Sequence, residues 1–168
     1  AIKLVKRTTN RHKIIAFEGA YHGSTIGALS VSGNENKKRA FRPLMPGVDT
    51  IRLNNMDDLV LISKETAGVI LETIQGDAGV QVPSKQYLLA LRKRCSEVGA
   101  MLIFDEIQCG IGRTAKMFAF EHFNVIPDVL TLGKGLGGGT SIGVLVSSNK
   151  VLHNFTNSPM LGHITTFG

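Results

Sequence analysis

Apolar positions fall into two patterns along this chain. Residues 67–71, 101–104, 128–132 and 142–147 are short and apolar almost throughout, as strands buried on both faces are. Residues 13–17 form a further short β-run, and residues 49–53 a shorter one. The other pattern is helical. Leu88, Leu91, Cys95 and Val98 recur at steps of three and four, Pro83-Ser84 stands where such a helix opens, and Gly99 stands where it stops. The first residues, Ala-Ile-Lys-Leu-Val-Lys-Arg, are also in helical stride, with Lys3, Lys6, Arg7, Arg11 and Lys13 marking a wet face that leads into the first strand. Residues 24–29 suggest a helix start with Ser24 as N-cap, and residues 55–64 a helix capped by Asn54 or Asn55. Residues 18–23 read as a turn, and residues 33–48, with two prolines, two glycines and two asparagines among polar neighbours, read as loop. Strands alternating with helices predict a layered α/β fold with a mostly parallel sheet.

Composition narrows the class without choosing a function. The chain has 168 residues, 43% hydrophobic and 19% charged, which suits one folded domain and excludes a disordered chain. No apolar run approaches the roughly 20 residues of a membrane span. The net charge of +6 favours anionic partners, and with only 6% aromatic residues and no tryptophan these are expected to be metabolites rather than nucleic acid. Cys95 and Cys109 have neither disulfide-framework nor metal-ligand spacing, which suits a reducing cytoplasm. The basic start is not followed by the apolar stretch of a signal peptide, and the last residues, Thr165-Thr166-Phe167-Gly168, read as mid-loop, so the chain is expected to be an internal piece of a longer protein.

Three of the apolar runs end in ionisable residues: one in Glu72, one in Asp105-Glu106, and one in Gly133-Lys134. In open α/β sheets ligands bind beyond the carboxyl ends of the strands. Parallel neighbouring strands would therefore gather two carboxylates and an amine on one edge. Each residue alone is satisfied by a structural ion pair or a solvated loop; the three together favour a site. Lys134 is followed by Gly135-Leu136-Gly137-Gly138-Gly139. A phosphate loop needs Gly-x4-Gly-Lys-Ser/Thr, and Asp128 and Gly135 break that pattern; the late glycines do not make a dinucleotide fingerprint either. What remains is a lysine with room around its amine, suited to a Schiff base with a carbonyl cofactor. The usual electron sink for that chemistry is pyridoxal phosphate, whose ring nitrogen needs an acidic partner, and Asp105 is the candidate.

The run Leu102-Ile103-Phe104-Asp105-Glu106-Ile107-Gln108-Cys109-Gly110-Ile111-Gly112-Arg113-Thr114 resembles the motif of the class III, or ω-, aminotransferases. The resemblance continues in order through Tyr21-His22-Gly23, Glu72-Thr73-Ile74-Gln75-Gly76-Asp77-Ala78-Gly79, Phe118-Ala119-Phe120-Glu121, Pro127-Asp128, Thr131-Leu132-Gly133-Lys134-Gly135 and Gly162-His163-Ile164-Thr165-Thr166-Phe167-Gly168. It implies a fold-type-I, three-layer α/β/α large domain, with residues 1–168 as its central part. It implies that Lys134 holds pyridoxal 5'-phosphate and moves the substrate proton, and that Asp105 keeps the pyridine nitrogen protonated. Gln108 would touch the phenolic oxygen and Tyr21 would stack on the ring. Thr166 would reach the phosphate bound by the other subunit of a homodimer. Glu72 and Asp77 would lie on the substrate side, where the family gates an arginine. His22 and Arg113 match the motifs first as structural support, and His22 also counts with the cofactor-binding set.

The look is that of the acetylornithine and ornithine branch, passing a terminal amino group to 2-oxoglutarate, with 4-aminobutyrate or another ω-amino acid as alternative donor. The chain departs from the family at Thr73 for proline, Asp77 for glutamate, Cys109 for threonine, Ala115 for glycine and Ser141 for proline. The family's phosphate-cradling segment would precede Ala1 and its small domain would follow Gly168. Two other readings stay open from the residues alone: a phosphate- or nucleotide-binding α/β enzyme in which Lys134 neutralises charge, and a non-catalytic fragment.

Overall fold

The computed structural model describes residues 1–156. Its centre is one six-stranded sheet: β1 (Lys13–Phe17), β2 (Val48–Ile51), β3 (Thr66–Glu72), β4 (Met101–Asp105), β5 (Val129–Gly133) and β6 (Gly143–Ser147), in spatial order β2-β1-β3-β4-β5-β6. All neighbours run parallel except β5 and β6. Every residue of β3 and β4 is buried, as their unbroken apolar runs require.

Alternation along the strands splits the core in two. Ile15, Phe17, Val69, Leu71, Leu102 and Phe104 face Tyr87, Leu88, Leu91 and Cys95 of helix α4 (Lys85–Val98). Ile14, Ala16, Ala67, Ile70 and Ile103 face the other way, against Leu4 and Val5 of helix α1 (Ile2–Thr9) and Val31 of helix α2 (Ile26–Val31). Val151 and Leu152 of a short helix at Asn149–Leu152 pack onto that second cluster. Helices thus cover both faces of the sheet. Ser84 caps α4 by accepting from Tyr87 N, and Gly99 closes it at φ 71, a left-handed conformation that costs glycine nothing.

Three local expectations are corrected. Thr25, not Ser24, stands at the N-cap of α2, and it makes no side-chain bond there; the Ser24 hydroxyl lies 3.2 Å from Tyr21 Oη instead. Residues 33–48 are not all loop: Asn34 accepts from Asn36 N and starts helix α3 (Glu35–Lys38), which runs into a 3-10 turn at Arg39–Phe41. The helix expected over residues 55–64 is only a 3-10 turn at Asp57–Leu61. Leu59 within the turn and Ile62 just after it, three apart, are buried, while Val60 and Leu61 stay exposed. A tighter turn satisfies that spacing before the chain enters β3.

Candidate active site at the carboxyl ends of the strands

The chain steps outward from β1 to β2, then returns to β3 on the other side of β1 and proceeds to β4 and β5. That reversal, at the carboxyl ends of the strands, is where open α/β sheets leave a crevice. Here the turn after β1 supplies Tyr21, His22 and Gly23. Glu72 ends β3, Asp105 ends β4 with Ile107 and Gln108 just beyond, and Lys134 follows β5. These eight residues line one cavity of about 190 Å³. The strand-end amine and both carboxylates expected from the sequence therefore share one cavity. A neighbouring hollow of about 500 Å³, bounded by Ala28, Val31, Ile70 and Leu145 among others, shares His22, Asp105 and Ile107 as walls.

Glu72 and Asp105 are partners in the β3–β4 register and both are buried. Two adjacent buried carboxylates repel unless each has its own donors. Glu72 accepts from Tyr21 N at 2.8 Å and from Gly76 N at 3.1 Å. Asp105 Oδ1 accepts from Ile107 N at 3.1 Å, and Oδ2 lies 2.8 Å from His22 Nδ1. With a carboxylate as partner, Nδ1 is the protonated nitrogen of His22. The side chains of this pair are only 2% and 7% exposed. His22 Nε2 is buried with no hydrogen-bond partner among the described residues. The His22 backbone N–H donates to Ser32 Oγ at 3.1 Å, which anchors the turn to the end of α2. Lys134 is exposed at the cavity's edge, its Nζ donating to Gln108 Oε1 at 3.1 Å. Its φ is 45, so the chain leaves β5 in a left-handed turn at this lysine.

Glu106 was quoted from the sequence only as the neighbour of Asp105, yet it is wholly buried. Its Oε1 accepts from Thr73 Oγ1 at 2.9 Å and from Phe120 N at 2.7 Å, and Oε2 accepts from Ala119 N at 2.8 Å. Burial pushes its carboxyl above the usual range, opposed by the Ala119, Phe120 and Thr73 donors. Thr73, one of the departures from the family pattern, thus supplies a hydroxyl where proline would supply none. Cys109, another departure, is buried, and burial raises its thiol to about 12, leaving it protonated.

Two expected residues stand apart from the cavity lining. Asp77 is exposed and pairs with Lys37 at 2.6 Å; that partner was not anticipated from the sequence, where the two are 40 positions apart. Arg113 is exposed in the turn beyond β4. Thr166 lies outside the described residues. No group of three or more metal-ligating side chains occurs among the described residues, and no helix there is long and apolar enough to cross a membrane.

An amine and a carboxylate lining one cavity, together with an aromatic ring and an amide, can hold a flat heterocycle that carries a carbonyl at one end and a basic nitrogen at the other. Acetylornithine aminotransferase of Aquifex aeolicus is 42% identical over 174 aligned residues, covering 100% of this chain and 46% of that protein. The [LysW]-aminoadipate semialdehyde/glutamate semialdehyde transaminase of Sulfolobus acidocaldarius is 41% identical, covering 100% of this chain and 43% of that one. The chain therefore spans less than half the length of these curated relatives. A solved ornithine aminotransferase from Toxoplasma gondii, with partial occupancy of PLP at its active site, superposes with a TM-score of 0.90 at 31% identity, over 99% of this chain and 41% of that one. This match assigns the sheet and its helices to the fold-type-I architecture. The family model "Aminotransferase class-III" matches residues 1–168, and the chain belongs to that family.

Proposed function

We propose that this chain is the central part of the cofactor-binding large domain of a pyridoxal-phosphate-dependent aminotransferase. In that reading it passes the terminal amino group of an ornithine- or acetylornithine-like donor to 2-oxoglutarate. The carrying observation is that Lys134 and Asp105 line one cavity. The residues fit the group. Asp105 has two donors in place, and an ionised carboxylate has about four lone-pair sites, so acceptor capacity remains for a ring N–H. Tyr21 offers an aromatic face, and Gln108 already holds the Lys134 amine.

When bound, pyridoxal phosphate supplies an aldehyde for an amine and a ring that withdraws electrons from the substrate carbon. The protein's part is to hold and move protons around it. Asp105, oriented by the His22 and Ile107 donors, would hold a proton on the ring nitrogen. Lys134 Nζ holds the group and then carries the proton at the substrate carbon. Gln108 steadies the Lys134 amine and would reach the phenolic oxygen. Tyr21 would pack against the ring face, and Glu72, which anchors the Tyr21 turn, would border the substrate side. Asp77 belongs to the substrate side as well.

A homodimer, with Thr166 serving the opposite site, and a cytoplasmic setting complete this reading; the buried unpaired Cys95 and Cys109 support the latter. The Sulfolobus acidocaldarius relative, whose name specifies semialdehyde substrates, favours a second reading of the substrate: a carrier-linked or free amino-acid semialdehyde. The test is a panel of ornithine, N-acetylornithine and 4-aminobutyrate, each with 2-oxoglutarate, on the intact protein. Glutamate formation with at least one donor is expected; none with any amino donor overturns the reading.

A further inference from the structure

A cation stands beside the cavity that the strand-end pattern does not account for. Lys37, in α3, places Nζ 2.6 Å from Asp77 Oδ2 and 5.1 Å from the centre of the Tyr21 ring. Tyr21 is a wall of the cavity that Lys134 and Asp105 line. The 5.1 Å separation lies within cation–π reach. The neighbouring residues hold the helix that carries it: Lys38 Nζ donates to Ser30 O at 3.2 Å and Ser32 O at 3.1 Å, and Asn34 caps the helix turn. The backbone at Lys37 is thereby held while its side chain is 47% exposed, opposite an Asp77 side chain that is 46% exposed.

An ion pair this exposed adds little to stability, because water competes with it and two long side chains must be held still. For the same reason it exchanges readily for another anion. The Asp77 hydrogen bond also raises the Lys37 ammonium above its usual range, so the group is a full cation at neutral pH. Each donor considered above carries its carboxylate at the end remote from the reacting nitrogen. A donor whose amine is directed to Lys134 must find a cation for that far end near the cavity mouth.

We propose that Lys37 binds the remote carboxylate of the amino donor, releasing Asp77 as the donor enters. The proposal rests on the aminotransferase reading and adds the residue that selects for a carboxylate-ended ω-amine. Lys37 keeps its contact with the Tyr21 ring while its flexible stem lets the ammonium follow the carboxylate. Asp77 acts as the occupant the substrate displaces, so it lowers the affinity for acids and leaves neutral donors unaffected.

The experiment uses the intact protein with whichever of ornithine, N-acetylornithine and 4-aminobutyrate is turned over fastest, together with the carboxamide of that donor. Lys37→Ala is expected to raise KM for the acid by about tenfold, the loss of one charge-assisted contact, with kcat held within about twofold and KM for the carboxamide unchanged. Lys37→Arg restores the acid preference. Asp77→Asn lowers KM for the acid, because the competing anion is gone. Equal shifts for acid and carboxamide, no shift for either, or a rise in KM with Asp77→Asn matching that of Lys37→Ala would overturn the proposal. In an enzyme that still forms glutamate, such a result removes the role of Lys37 alone. A wild type inactive on every donor overturns the aminotransferase reading itself.

Discussion

His22 Nδ1 meets Asp105 Oδ2 at 2.8 Å, joining the turn after the first strand to the end of the fourth across 83 positions of sequence. Both side chains are almost fully buried, so this is a charge-assisted bond shielded from water and stronger than its surface counterpart. It fixes one oxygen of Asp105 in place at the cavity wall. His22→Leu should therefore lower kcat by about tenfold or more, from loss of a hydrogen bond to a charged group, with a smaller change in cofactor affinity. Steady-state kinetics alongside a cofactor titration separate the two effects; an unchanged kcat would mean that His22 only fills space.

In the proposed reaction Lys134 and Asp105 have different parts. Lys134→Ala should abolish turnover altogether, because no other amine lines the cavity among the described residues. Asp105→Ala should retain much of the cofactor binding while turnover falls by several orders of magnitude, since the ring nitrogen loses the anion that keeps it protonated. Cofactor titration and single-turnover rates report the two losses. Loss of binding without loss of rate in the cofactor-saturated Asp105 variant would reverse the assignment.

Gln108 offers a test of position that spares the fold. A Cβ on Gly76 would lie 2.5 Å from Gln108 Nε2, at the far end of a flexible side chain. Gly76→Ala should swing Gln108 away from Lys134 while changing stability by no more than about 1 kcal/mol. Turnover should fall although the melting temperature holds. Equal turnover in the variant would show that Gln108 does not steady the Lys134 amine.

Glu106 ties three segments together: the end of β4, Thr73 after β3, and the turn at Ala119 and Phe120. In Glu106→Gln, an amide donor faces groups that are themselves donors, a mismatch that should cost about 1–3 kcal/mol of stability. The pH dependence carries a sign. Burial raises the folded-state value of this carboxyl, so above the usual carboxylate range the folded chain binds more protons here than the unfolded one. The Glu106 contribution to stability must fall as pH rises from that range through the raised value, then level off. The stability of the wild type minus that of Glu106→Gln, followed by denaturant melts across acid pH, should trace this fall. A difference that grows with pH would contradict it.

These expectations differ in how visible their residues are in the sequence. The α4 face is written locally: Leu88, Leu91, Cys95 and Val98 repeat with the helix, Ser84 and Gly99 bracket it, and all four side chains are buried. Strands β3, β4 and β5 are equally plain as apolar runs, and a parallel order for them sets Glu72, Asp105 and Lys134 at one edge. Shorter elements were misread because their form depends on neighbours. The turn at Asp57–Leu61 is cut short by which two side chains reach the core. Helix α3 depends on a single asparagine cap in a stretch rich in loop-forming residues. The partnerships of Glu106 with Thr73, and of Lys37 with Asp77, cross 33 and 40 positions and follow no periodic rule. A carboxylate directly after an apolar strand, as at Glu106, and a basic run at residues 37–39 were the only local hints.

The central claim is that one amine, Lys134, takes up the carbonyl of the cofactor. Borohydride reduction of the intact protein loaded with pyridoxal phosphate, followed by proteolysis and peptide mass analysis, tests it directly. The account predicts a single pyridoxyl-phosphate addition on the peptide that contains Lys134, and none in the Lys134→Ala protein. A label on a different lysine, or cofactor that stays bound yet leaves Lys134 unmodified after reduction, would contradict it.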